Sequence, residues 1–152
     1  MNVKPTYHKS NDTAQGLRGG SATAILNRME KYLLVLLGGA IGSLARYLAA
    51  TAIMNRYPGR FPLGTLVVNV TGCFLIGAIL TSITQKTTPN PNWQLFLVVG
   101  LLGGYTTFSG FAWETFMSAR NGSPWVGLLN VISSVILGYF AVWLGVISVK
   151  SR

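Results

Sequence analysis

Charge is scarce in this sequence. Of 152 residues, 12 are Lys or Arg and 3 are Asp or Glu, so 10% are charged, where a soluble domain carries about 25%. Asp12, Glu30 and Glu114 are the whole set of carboxylates, and only Glu114 lies near the apolar spans. No carboxylate pair is available for acid–base catalysis, and no enzyme chemistry is visible. Cys73 is the single cysteine, which excludes an intrachain disulfide framework. It sits in an apolar run and reads as a small buried residue. His8, the single histidine, lies in a polar tail. Neither a zinc site nor a Cys/His catalytic pair can be built from these. The net charge of +9 invites a nucleic-acid partner. The basic residues, however, flank apolar segments instead of forming one phosphate-tracking patch, and no nucleic-acid partner is expected.

What is abundant is apolar sequence. Half of the residues are hydrophobic and 18 are glycine, a composition that suits packed membrane helices. Crossing about 30 Å of hydrocarbon takes about 20 helical residues. Four segments qualify: 32–53, 62–83, 93–113 and 124–149. Only the first contains a charge, Arg46. Tyr32, Tyr57, Trp93 and Trp125 sit near span ends, as interface aromatics do. Residues 1–28 are polar and read as a disordered tail or an extended start before a natural-looking beginning at Met29. Residues 29–152 then form one all-α, multi-pass membrane domain. Short loops force its helices together. Gly38 and Gly42, and again Gly100 and Gly104, have the spacing that lets helix backbones approach closely.

Three places carry polar groups at membrane depth. Asn69 shares a helical face with Thr65, Gly72, Cys73 and Ile76. A buried amide without a partner costs several kcal/mol on apolar transfer scales, so Asn69 must meet another helix, a pore or an ion. Asn130, Ser134 and Gly138, spaced by four, make a narrow polar track on the last span, with Ser133 beside it. Such a track either bonds helix to helix or lines a pathway. The third place is the stretch GGYTTFSGF, residues 103–111. Its glycines favour departure from helical dihedrals, and Thr106, Thr107 and Ser109 can bond freed backbone groups. A helix broken in mid-membrane is tolerated where it is buried in protein or lines a cavity, and its free carbonyls can bind a cation. The stretch lacks the lysine of a phosphate-binding loop. Phe108 and Phe111 fall on one face, either as ordinary packing aromatics or as ring edges that could solvate an anion without a fixed cation.

The ordered motifs GGAIGSLARY (38–47), PLGTLVVNVTGCFLIG (62–77) and GLLGGYTTFSGF (100–111) resemble the Fluc (CrcB) family of small fluoride channels, over about residues 31–149. The resemblance implies an antiparallel, dual-topology homodimer in the cell membrane. It implies two fluoride pathways and a structural sodium ion between the two broken third helices. By position, Gly103 and Thr106 match the backbone-carbonyl sodium ligands. Asn69, Phe108, Phe111 and Ser134 match pathway residues, and Arg46 matches an arginine of the first helix, placed structurally or at a vestibule. Asn130 stands where the family often has tyrosine and is expected to join the pathway residues in place of the missing hydroxyl, and Gly110 and Ala112 replace hydroxyl residues of the family's pattern. The expected function is passive, fluoride-selective conduction that lets cytoplasmic fluoride leave. Two other classes are possible from the architecture. A small dual-topology multidrug exporter needs an intramembrane carboxylate to exchange protons for cations, and the spans as drawn contain none. A structural subunit without transport would leave the broken helix and its ring pair unexplained.

Overall fold

The computed structural model describes residues 11–85 and 90–150, with side chains from Ile25 onward in the first helix. The chain divides into two compact units, Met1–Leu33 and Leu34–Arg152. Helix α1 is Asn11–Arg56. Residues 1–10 of the expected polar tail lie outside the described residues, and from Asn11 the backbone is helical. Side chains 25–33 are exposed. The packing that follows concerns the second unit.

Helix α2, Leu63–Thr84, follows Pro62, whose missing N–H costs nothing before the first turn. The third span is two helices. The first, α3 (residues 91–105), opens at Pro91 and runs as a π-helix through Gln94–Leu102 before a closing turn Gly103–Tyr105. The second, α4, is Phe108–Arg120. Helix α5, Pro124–Lys150, starts on a proline at its first position. Among the described residues there is no strand. Four segments are long and apolar enough to cross a bilayer: Ile25–Arg56, Leu63–Thr84, Pro91–Arg120 and Pro124–Lys150. The third runs seven residues past its expected end at Trp113, because Thr115 and Ser118 bond back to the carbonyls of Phe111 and Glu114 and the helix continues to Arg120. Glu114 therefore lies inside a span. This corrects the premise that no carboxylate does.

Among the described residues few apolar side chains are buried: Leu66, Val68, Leu102 and Ala141. Leu36, Leu48, Phe116, Val135 and Trp143 are more than half exposed. So much exposed apolar surface demands lipid or another protein around it.

Glycines set the closest helix approach. A Cβ at Gly42 would overlap the carbonyl of Leu101, and one at Gly38 the carbonyl of Phe96. Reciprocally, a Cβ at Gly100 would sit 2.9 Å from the carbonyl oxygen of Val35. The expected close approach is thus the observed contact between α1 and α3. Gly39, one position away, has room, its added Cβ meeting Gly100 O at 3.9 Å. Gly42→Val should therefore lower the unfolding temperature in detergent and cost about 1–3 kcal/mol by overpacking, whereas Gly39→Ala should melt with the parent.

Candidate functional site

The break lies between Tyr105 and Phe108. Thr106 (φ −85°, ψ 157°) and Thr107 (φ −148°, ψ 118°) are extended, while Gly103 keeps helical angles (φ −62°, ψ −36°). The glycines were expected to break the helix, and here the threonines do. The glycine at 104 serves contact instead, since a Cβ there would come 2.5 Å from Gly39 O.

Several backbone groups freed by the break have new partners. Asn69 on α2 takes both sides of Thr107. Its Oδ1 accepts from Thr107 N–H at 2.8 Å, and its Nδ2 donates to Thr107 C=O at 3.0 Å. The amide that had to find a partner thus found a broken peptide segment, and one proton of its NH2 remains unassigned. Thr107 caps α4, its Oγ1 accepting from Gly110 N–H at 3.0 Å. Leu102 C=O accepts from both the N–H and the hydroxyl of Thr106 at 2.9 Å. Arg46 Nε donates to Gly104 C=O at 3.1 Å, so Arg46 stands at the break and fastens α1 to it.

Among the carbonyls that lose their helical donors here are those of Gly103 and Thr106. Gly103 C=O would ordinarily accept from Thr107 N–H, which goes to Asn69. Thr106 C=O would ordinarily accept from Gly110 N–H, which goes to Thr107 Oγ1. A Cβ at Gly72 on α2 would overlap the Thr106 methyl, so glycine at 72 lets α2 lie directly against the break. Among the described residues no group of three His, Cys, Asp or Glu could hold a metal.

Beside the break lies an open groove of about 400 Å³. Asn69, Gly103, Thr106, Phe108, Phe111 and Ser134 all line it, and none of its lining residues is Lys or Arg. Six of the eight residues singled out from sequence thus share one surface. The Phe108 and Phe111 rings are 5.6 Å apart, tilted by 46°, and Phe108 is 80% exposed. Arg46 and Asn130 are not among the lining residues. Asn130 is buried, and its Nδ2 donates to Thr115 Oγ1 at 2.8 Å, joining α5 to α4. Ser134 Oγ reaches Asn130 Oδ1 only at 3.5 Å, a weak bond that leaves its proton available.

A second cavity, about 500 Å³, lies before the start of α2 and along α4. Pro62 and Glu114 line it, whereas Asn69 and Phe111 line the first. Between them Thr65 Oγ1 donates to Glu114 Oε1 at 2.8 Å, and Glu114 Oε2 is buried with no partner among the described residues. Sequence reading passed over this pair because it ended the third span at Trp113. The i, i+3 register of Phe108, Phe111 and Glu114 was the available signal.

A bundle of spanning helices with one helix broken beside a polar, cation-free groove defines a multi-pass membrane protein of the channel or transporter kind. Residues 33–146 match the family described as CrcB-like protein, Camphor Resistance (CrcB), and the chain belongs to that family. It is 61% identical to the fluoride-specific ion channel FluC of Solibacter usitatus over 115 residues, covering 76% of this chain and 94% of the relative. The FluC protein of Acidobacterium capsulatum is 48% identical over 77% of this chain and 94% of its own length. That of Rhizobium meliloti is 44% identical over the same shares. Membership places the chain among ion channels, not enzymes.

Proposed function

We infer that the chain is a passive fluoride channel. The observation that carries this is the groove, where a phenylalanine pair, the Asn69 amide and the Ser134 hydroxyl converge at a helix break without any basic side chain. Fluoride is small and strongly hydrated, so a pathway must replace its water with close donors. A lysine would hold it too tightly for release. Neutral donors and the positive edges of aromatic rings stabilise the anion less, which conduction requires. The relatives' name supports the same substrate. Hydrogen fluoride enters cells as the neutral acid and dissociates, trapping the anion. A negative interior then drives fluoride out, by about 2.3 kcal/mol per charge per 100 mV. Flux from liposomes loaded with fluoride, chloride or an organic cation separates the readings. A channel of this kind passes only the first, a multidrug exporter the last, and a structural subunit none.

The working unit in this reading is an antiparallel homodimer. Gly103 is exposed in the single chain, and the groove is open, so a second copy could complete both. The residues present also suit a structural sodium ion. The carbonyls of Gly103 and Thr106, deprived of their helical donors, are the groups that would hold it. Neutral carbonyl oxygens suit a monovalent cation, which would supply fixed charge that stabilises the paired breaks. Because backbone is used, Thr106→Ser should leave sodium-dependent dimer stability unchanged.

Dual topology is supported by charge. With four spans, Lys31, Lys86, Lys150 and Arg152 share one side, and Arg56, Arg60 and Arg120 the other. That imbalance is too small to orient the chain. Lys4, Lys9, Arg18 and Arg28 add to the terminal side when the tail is present. In a Cys73→Ala chain begun at Met29, a cysteine introduced at Thr88 should be labelled from outside intact cells in about half of the molecules, as near-equal charge on the two sides dictates. Uniform labelling or uniform protection would exclude dual topology.

A further inference from the structure

We propose that the second cavity is the mouth of the anion pathway and that Arg60 is its collecting cation, a role that rests on the fluoride-channel reading above. The two cavities are successive along α4, where Phe111 lines the first and Glu114 and Ser118 the second. Across from them Pro62 at the start of α2 lines the second cavity, Asn69 lines the first, and Thr65 lies between, bonded to Glu114. Three- and four-residue steps keep these groups on one face, about 5–6 Å apart. An ion leaving the inner groove toward this end of the bundle meets the second cavity next.

Charge at this end has one sign apart from Glu114. Arg60 lines the cavity and is exposed, and its Nη1 donates to Ser123 Oγ at 3.4 Å. That long bond joins the loop before α2 to the loop after α4 between two residues that line the cavity. Arg56 and Arg120 end the neighbouring helices, with Arg56 directed over the Tyr57 ring at 5.4 Å. Glu114 sits deeper, with one oxygen engaged by Thr65. A carboxylate inside an anion pathway repels the ion it must pass, and a cation at the opening offsets that repulsion where the anion is still hydrated. Arg46, the other arginine near the pathway, is bonded to Gly104 C=O at the break and does not line this cavity. The task of raising local anion concentration therefore falls to Arg60. The cationic group sits at the mouth, where weak attraction speeds entry, and is absent from the groove, where strong attraction would stop release.

The test is fluoride efflux from liposomes holding the full chain, as parent, Arg60→Gln or Arg60→Lys, at low and high ionic strength set with potassium gluconate. One unit charge acting over about 5 Å in water changes local anion concentration about fourfold. At about 10 mM salt, where the Debye length is about 30 Å, Arg60→Gln should be slower by that factor. At about 1 M, where it is about 3 Å, the variant and parent should converge. Saturating fluoride should erase the difference, and Arg60→Lys should restore the parent rate at both salts. A merely structural role for the Ser123 contact predicts a deficit independent of salt and unrescued by lysine, and that result overturns the proposal. So does an Arg60→Gln variant as fast as the parent at low salt, which would leave the channel reading intact. A parent that passes no fluoride would overturn both.

Discussion

Replacing Phe108 or Phe111 with isoleucine is expected to cut fluoride flux about thirtyfold while leaving the protein assembled. Both rings line the groove, 5.6 Å apart, and both are carried on the first turn of α4. Isoleucine keeps apolar bulk but has no quadrupole, so it removes the ring edge and little else. A cation over a ring face in a desolvated site gains about 2 kcal/mol; taking the opposite pole of the same quadrupole to give fluoride a similar amount, its loss corresponds to about thirtyfold in rate. Phe108 is almost free of intrachain packing, so its replacement should not disturb the fold of one chain. Size-exclusion elution and thermal unfolding should match the parent, and liposome efflux should not. If both variants, correctly folded, passed fluoride at the parent rate, ring-edge solvation would be the wrong mechanism.

Asn69→Ala should have an effect as large on flux, accompanied by a loss of stability. Truncation strands the N–H of Thr107 and takes one of two donors from its C=O, which as the N-cap carbonyl also accepts the first bond of α4. An unpaired backbone N–H in a half-buried site costs about 1–3 kcal/mol, so a destabilisation of about that size is expected, with water repairing part of it. The break would lose its clamp and the groove its amide donor together. Asn69→Asp separates these effects. An aspartate still accepts from Thr107 N–H but cannot donate to its C=O, and it places a negative charge on the groove. It should unfold above the alanine variant and yet pass no more fluoride. An aspartate that conducts like the parent would mean that the anion does not travel past residue 69.

The sequence made much of this site legible, and its limits have physical causes. GGYTTFSGF announced a break because clustered glycines and hydroxyls weaken a helix in an apolar run. It assigned the break to the wrong residues. Whether a glycine bends a chain or admits a neighbouring helix depends on that neighbour, and here α1 stands against Gly104. Asn69 was recognised as needing a partner, but local periodicity does not identify a peptide 38 positions away. Asn130 and Ser134 share a face by spacing, yet only Ser134 reaches the groove, because Thr115 on α4 turns the Asn130 amide inward. The π-helical course of Gln94–Leu102 has no sequence signature in an apolar run. Glu114 was overlooked as a span residue because hydropathy fades before the helix does: Thr115 and Ser118 satisfy their hydroxyls on the helix itself.

The central claim is that fluoride moves passively and alone through this protein. The most direct measurement is the reversal potential of currents across a planar bilayer containing the purified chain, under a tenfold fluoride gradient with chloride and pH equal on both sides. Passive fluoride selectivity places the reversal at the fluoride equilibrium potential, about 59 mV for one charge, unmoved when a chloride or a proton gradient is added. A reversal near zero, or one that follows chloride or protons, would contradict it.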